Sequence, residues 1–109
     1  MKYSILLAER FKREFKCVAK KFPSLKNELS ELGQEVASNP EYGTFIGNNC
    51  YKIRLAIASK GKGKRGGARV ITYCYIQTET VYLLTIYDKG EKVDLEPSEL
   101  KEMINSLEL

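Results

Sequence analysis

The basic side chains between residues 52 and 69 are the strongest chemical feature of this sequence. The stretch holds seven cations and no acid, namely Lys52, Arg54, Lys60, Lys62, Lys64, Arg65 and Arg69. Residues 1–51 carry a formal charge of +2 and residues 70–109 a charge of −5, so the net +4 originates in this block. A focused cationic surface of this kind is typical of a site for a phosphate-rich partner such as RNA or DNA.

Glycines interrupt the basic run, and residues 61–66 match the pattern G-x-G-x-x-G. In a dinucleotide site that pattern leads from a strand into a helix. Here it leads into residues 68–73, which read as a strand, and the Lys-Ser/Thr ending of a P-loop is missing. We therefore predict a cationic hairpin loop over residues 60–67. It is either a solvated loop or a clamp on a polyanion, and the flanking cations Lys52, Arg54 and Arg69 favour the clamp.

The absence of other residue types restricts the possible chemistry. The sequence has no histidine, and its three cysteines, Cys17, Cys50 and Cys74, form no C-x-x-C pair. We interpret the cysteines as reduced thiols, and we expect neither a metal site nor a cofactor.

The length and composition indicate one globular domain over residues 1–109. The chain is 43% hydrophobic, which excludes a disordered protein, and it is too short for two independent cores. It contains no apolar run long enough to span a membrane and no signal-peptide core. We therefore expect a cytoplasmic protein without a membrane partner.

Helical periodicity predicts two helices before the basic block and one after it. Two apolar stripes with steps of 4, 3 and 4 begin at Phe11 and Leu25, on either side of Pro23. Pro40 closes the second stripe. At the other end, Pro97 is well placed as the first residue of a helix.

The remaining segments have the pattern of strands. Residues 3–7 read as a short strand, and from Tyr51 to Ile57 apolar side chains alternate with Lys52 and Arg54, which places these two cations on one strand face. Residues 68–77 and 81–87 read as central strands joined by a hairpin turn. The predicted order is β-α-α-β-β-β-α, a small α+β protein.

Three segments together resemble the RelE/ParE superfamily of toxins, in particular its HigB-like branch. They are residues 51–55 (YKIRL), 59–71 (SKGKGKRGGARVI) and 82–89 (YLLTIYDK). The resemblance implies two N-terminal helices packed on a twisted antiparallel sheet of about four strands, with a C-terminal helix.

The resemblance also implies a function. RelE-like and HigB-like proteins are toxins of type II toxin–antitoxin systems that cut mRNA in the ribosomal A site without a metal. The ribose 2′-OH attacks the adjacent phosphate, and the 5′-oxygen leaves. The implied partners are a cognate antitoxin protein, the ribosome, mRNA and rRNA.

The same resemblance assigns candidate catalytic residues. Lys52 and Arg54 match paired strand cations, Arg69 matches an arginine that stabilises phosphate charge, and Lys89 matches a basic position at the end of the last strand. Tyr87 is the candidate for stacking on a base or donating a proton. The loop cations Lys60, Lys62, Lys64 and Arg65 are the candidate RNA-binding residues. Which residue acts as the general base stays open, because Gly90 replaces a family arginine and no histidine is present.

Each candidate also has a structural interpretation. Lys52 and Arg54 are alternatively plain surface cations, and Arg69 alternatively pairs with the acidic C-terminal region. At the level of function, the alternatives are a ParE-like, non-enzymatic inhibitor of DNA gyrase and a module that binds RNA or the ribosome without cleaving. The lysine-rich loop favours the ribosome over gyrase.

Overall fold

The computed structural model describes residues 2–58, 67–88, 95–107 and 109. Its strands are β1 (Ser4–Leu7), β2 (Thr44–Gly47), β3 (Cys50–Leu55), β4 (Ala68–Tyr75) and β5 (Thr80–Asp88). Its helices are α1 (Glu9–Lys21), α2 (Leu25–Ser38) and α3 (Pro97–Asn105). A 3-10 turn at Ile76–Thr78 joins β4 to β5. The predicted α+β class and the three helices are confirmed.

The five strands form one mixed sheet in the order β1-β5-β4-β3-β2. The predicted sheet of about four strands is confirmed in its general form, and the structure differs from the prediction in two details. The pairing of β1 with β5 is parallel, and β2 is an additional edge strand. The sequence hides β2 because its four residues lie among turn residues, with positive φ angles at Gly43, Gly47, Asn48 and Asn49.

The helices begin and end where local chemistry requires it. Pro23 lies between α1 and α2, where its missing N–H removes no helical hydrogen bond. Helix α3 has Pro97 at its first position and a capping box, in which Glu96 and Glu99 each bond the other's backbone N–H. These bonds satisfy amide groups that the first helical turn leaves free.

The sheet has a separate core on each face. Helices α1 and α2 cover one face through Phe11, Leu25 and Val36, which pack on Ile53 and Val70 of β3 and β4. Helix α3 covers the opposite face, where a second core holds Cys50, Ile71, Leu84, Tyr87, Leu100 and Met103. Strands β4 and β5 lie between the two layers, which explains why their sequences are apolar on both sides.

A β-bulge in β5 interrupts the alternation of its side chains. Ile71 pairs with Thr85 and Thr72 pairs with Leu83, so Leu84 has no partner on β4. The bulged residue Leu84 packs on the α3 side, but two residues later Ile86 packs on the α1 and α2 side. Tyr87 consequently points to the α3 side, which is where the cations of β3 also lie.

None of the helices in residues 2–58, 67–88 and 95–107 is long and apolar enough to cross a membrane.

Candidate functional site

Three of the candidate catalytic residues form a row across three neighbouring strands. Arg54 of β3 is directly opposite Arg69 of β4, and Arg69 is directly opposite Tyr87 of β5. Directly opposed residues have Cβ atoms about 5 Å apart, so Arg54 and Tyr87 are separated by about 10 Å. All three lie on the α3 face of the sheet, level with the first residues of β4. We call this set the Arg54–Arg69–Tyr87 row.

Lys52 lies beside this row rather than in it. It occupies the same face of β3 two residues before Arg54, which corresponds to about 7 Å along the strand. Its partner on β4 is the apolar Ile71. Lys52 is half-buried and borders a cavity of about 230 Å³ that is also lined by Glu96 and Leu100 at the beginning of α3.

Arg69 is the most unusual member of the row because it is buried. Only 5% of the residue is exposed, and its Nη1 atom has no hydrogen-bond partner within the described residues. The alternative interpretation, an ion pair with the acidic C-terminal region, is not observed in the part of the chain that the structure describes. Arg54, directly opposite, is another cation, and like charges in that position destabilise a sheet.

Tyr87 and Arg54 differ in their access to solvent. Tyr87 is 8% exposed and packs in the core beneath α3, whereas Arg54 is exposed. The row therefore runs from an open cation, through a buried cation, to a buried phenol. Of the three, Arg54 is the residue that a ligand from solvent reaches first. The charge of Arg69 lies in a medium of low dielectric constant, where electrostatic interactions are stronger.

Five candidates lie outside the described residues. They are Lys89 and the loop cations Lys60, Lys62, Lys64 and Arg65. The pairing of Leu55 with Ala68 shows that β3 and β4 form a hairpin whose connection contains those loop cations. Gly67 directly precedes β4, and a Cβ atom there would collide with the carbonyl oxygen of Leu55.

The opposite end of the same face is occupied by tyrosines. Tyr73 stacks on Tyr75 with ring centroids 6.3 Å apart and contacts Tyr82 with centroids 6.5 Å apart. Tyr73 and Tyr82 also pack against the α3 core. We call Tyr73, Tyr75 and Tyr82 the tyrosine cluster, and we interpret it as part of the structural core.

Two of the three cysteines are buried, and all three are free thiols. Burial raises the pKa of Cys50 to about 12, and its Sγ donates a hydrogen bond to the carbonyl oxygen of Asn48. Burial also raises the pKa of Cys74. Both thiols are therefore protonated at neutral pH and are poor nucleophiles. Cys17 is exposed on α1.

One polar contact of β5 was not predicted from the sequence. Glu14 of α1 accepts a hydrogen bond from Thr85 Oγ1 at 2.6 Å and another from the Ile86 amide at 3.4 Å. Its second carboxylate oxygen accepts from Arg10 Nε at 3.2 Å. A sequence separation of 71 residues between Glu14 and Thr85 explains why local pattern analysis did not find this contact.

Comparison with solved structures relates the fold to RelE toxins. A free E. coli RelE variant, with two arginines changed to alanine, matches with a TM-score of 0.65 at 18% identity, covering 96% of this chain and 97% of that one. A chain of the intact E. coli RelBE toxin–antitoxin complex matches with a TM-score of 0.60 at 20% identity, covering 79% and 95%. The RelBE2 complex of Mycobacterium tuberculosis matches with a TM-score of 0.58 at 13% identity, covering 86% and 95%.

These matches show that the chain has the fold of RelE toxins. No protein-family model matches the sequence. The function therefore has to be argued from the site.

Proposed function

We propose that this protein is a toxin of a type II toxin–antitoxin system that cleaves mRNA on the ribosome without a metal ion. The observation that carries the proposal is the Arg54–Arg69–Tyr87 row, with Lys52 beside it, on a RelE-like sheet. A buried arginine opposite a second arginine is costly for a fold, and such a cost is typical of a site that binds an anion.

Each residue has a role in the proposed reaction. The ribose 2′-OH loses its proton to a base, for which Lys52 is the candidate, and attacks the adjacent phosphorus. Arg54, which is exposed, contacts the phosphate, and buried Arg69 stabilises the additional negative charge of the phosphorane. The 5′-oxygen then leaves with a proton, for which Tyr87 and Lys89 are the candidate donors. The products are a 2′,3′-cyclic phosphate on one fragment and a 5′-hydroxyl on the other.

The proposed partners follow from the same likeness. The E. coli RelBE and M. tuberculosis RelBE2 structures are toxin–antitoxin complexes, and we extend an antitoxin partner to this chain. The ribosome, mRNA and rRNA are the remaining proposed partners, because the basic block between residues 52 and 69 suits a phosphate backbone. Assignment to the HigB-like branch and a cytoplasmic location remain predictions from the sequence.

The decisive experiment maps mRNA ends in a reconstituted translation reaction. The wild-type protein is compared with Arg69→Met, with a reaction that lacks ribosomes, and with Lys26→Met as a matched control on an exposed face of α2. Codon-phased cuts that require ribosomes, persist in the control and fall at least tenfold in Arg69→Met are the expected result. A tenfold change corresponds to about 1.4 kcal/mol of activation free energy.

Two other outcomes would contradict cleavage. Stalled ribosomes on intact mRNA would identify a binding protein that blocks the A site. Unaffected translation together with inhibited DNA supercoiling would identify a gyrase inhibitor. The unpartnered Arg69 Nη1 within the described residues supports an anion site in either case, so the mapping of mRNA ends decides between cleavage and binding.

A further inference from the structure

The outer edge of β5 changes its partner halfway along the strand. Strand β1 pairs with β5 only from Thr80 to Leu83, and the amide of Ala8 then bonds to the carbonyl oxygen of Leu83. Beyond that point the edge of β5 faces α1 instead of a strand. The carboxylate of Glu14 occupies this position and accepts hydrogen bonds from Thr85 and Ile86.

These contacts fall directly after the bulged residue Leu84. Without the bulge, Ile71 would oppose Leu84 and Val70 would oppose Thr85. Arg69 would then oppose Ile86, and Tyr87 would point to the α1 and α2 side of the sheet. The observed register, in which Arg69 opposes Tyr87, therefore depends on the extra residue.

We propose that Glu14 is a positioning residue that holds the bulged register of β5 and so keeps Tyr87 in the row with Arg54 and Arg69. Thr85 is almost fully buried, at 1% exposure, and its short bond to Glu14 fixes the residue that follows the bulge. Arg10 holds the other carboxylate oxygen from the preceding helical turn and orients the group toward the strand. The catalytic consequence rests on the proposed function, whereas the register itself does not.

The register is tested directly by nuclear magnetic resonance. In the wild-type protein we expect cross-strand nuclear Overhauser effects between Val70 and Ile86 and slow hydrogen exchange of the Ile86 amide. In Glu14→Ala we expect these signals to weaken, with exchange at least tenfold faster. Glu14→Gln should restore most of the protection, because its amide oxygen also accepts hydrogen bonds. Glu9→Ala is the control, since Glu9 is an exposed acid of α1 that pairs only with Lys12 among the described residues.

A second pair of variants keeps the test valid if Glu14→Ala does not fold. Thr85→Val removes the hydroxyl and keeps the β-branched shape, whereas Thr85→Ser keeps the hydroxyl. We expect Thr85→Val to behave like Glu14→Ala and Thr85→Ser to behave like the wild type. Unchanged cross-strand signals and exchange in Thr85→Val would overturn the proposal.

Cleavage kinetics separate positioning from simple destabilisation. Single-turnover cleavage of ribosome-bound mRNA should slow at least tenfold in Glu14→Ala and Thr85→Val, while the toxin concentration for half-maximal rate changes less than twofold. Equal rates in all variants would refute the positioning role while leaving the nuclease intact. If the wild-type protein itself fails to cleave, the proposed function falls, and the resonance data alone decide whether Glu14 holds the register.

Discussion

The two ends of the α3 face share strands β4 and β5 but are built from different kinds of side chain. At one end, the Arg54–Arg69–Tyr87 row sets two like charges against each other and leaves Arg69 Nη1 without a hydrogen bond inside the described residues. At the other end, the half-buried tyrosine cluster packs ring against ring with ordinary contact geometry. Because strands β4 and β5 contribute to both ends, fold constraints alone do not explain the difference. Under the proposed function, the row binds the phosphate and the tyrosine cluster stabilises the fold.

The largest expected effect comes from removing the buried cation. Arg69→Met should reduce mRNA cleavage about a hundredfold, equivalent to about 2.7 kcal/mol of activation free energy. The same variant should match or exceed the wild type in its free energy of unfolding, because it removes a buried charge that opposes Arg54. Primer-extension mapping measures cleavage, and urea denaturation measures stability. A variant that loses activity only because it unfolds would contradict this interpretation of the row.

A substitution in the tyrosine cluster should lower stability and leave cleavage unchanged. Tyr73→Ala removes ring contacts with both Tyr75 and Tyr82 and should lower the free energy of unfolding by about 2 kcal/mol. Cleavage per folded molecule should stay within twofold of the wild type. Ile76→Ala, at a side chain that is 62% exposed, is the control and should change stability by less than about 0.5 kcal/mol. A cleavage defect in folded Tyr73→Ala would show that the functional site includes the tyrosine cluster.

A smaller effect is expected at the exposed end of the row. Arg54→Ala should slow cleavage about tenfold, or about 1.4 kcal/mol, through loss of a phosphate contact. Stability should change little, because Arg54 is exposed and its loss relieves repulsion with Arg69. The salt dependence of ribosome binding should become shallower, as expected when one phosphate contact is lost. An unaltered cleavage rate would reassign Arg54 as a plain surface cation.

The smallest expected effect is a decrease in the free energy of unfolding at alkaline pH, caused by the thiol of Cys50. Cys50 lies beside the tyrosine cluster, where it pairs with Tyr73. Burial raises the pKa of Cys50 from 9.0 to about 12, so the folded state holds the thiol proton more tightly than the unfolded state. The resulting stabilisation is complete below pH 9 and is lost progressively as pH rises toward 12. Between pH 8 and pH 10 the loss should be about 1 kcal/mol.

Denaturation curves at several pH values check the Cys50 prediction. Cys50→Ala should make the free energy of unfolding depend less steeply on pH. Some pH dependence should remain, because burial also raises the pKa values of Cys74 and Tyr73. Identical slopes in the wild type and Cys50→Ala would show that the thiol does not contribute. At pH 8, alkylation of the native protein should modify exposed Cys17 and spare Cys50.

Sequence alone determined the main elements because each depends on local periodicity. The stripes from Phe11 and Leu25 gave both N-terminal helices, and the alternation from Tyr51 placed Lys52 and Arg54 on one face of β3. Pro97 correctly marked the beginning of α3. The charge count likewise identified the basic block, because charge needs no knowledge of contacts.

Tertiary structure decided how these elements meet. The sequence could not show that β1 runs parallel to β5, that Arg69 is buried, or that Arg54 opposes it. It also could not show the bulge at Leu84, because an alternating pattern gives no sign of one additional residue when both strand faces are apolar. That bulge turns Tyr87 toward the arginines, and Glu14 holds it from 71 residues away in the chain. Such contacts form only when distant segments pack together, so the protein's row of candidate catalytic groups is a property of the fold rather than of any local segment.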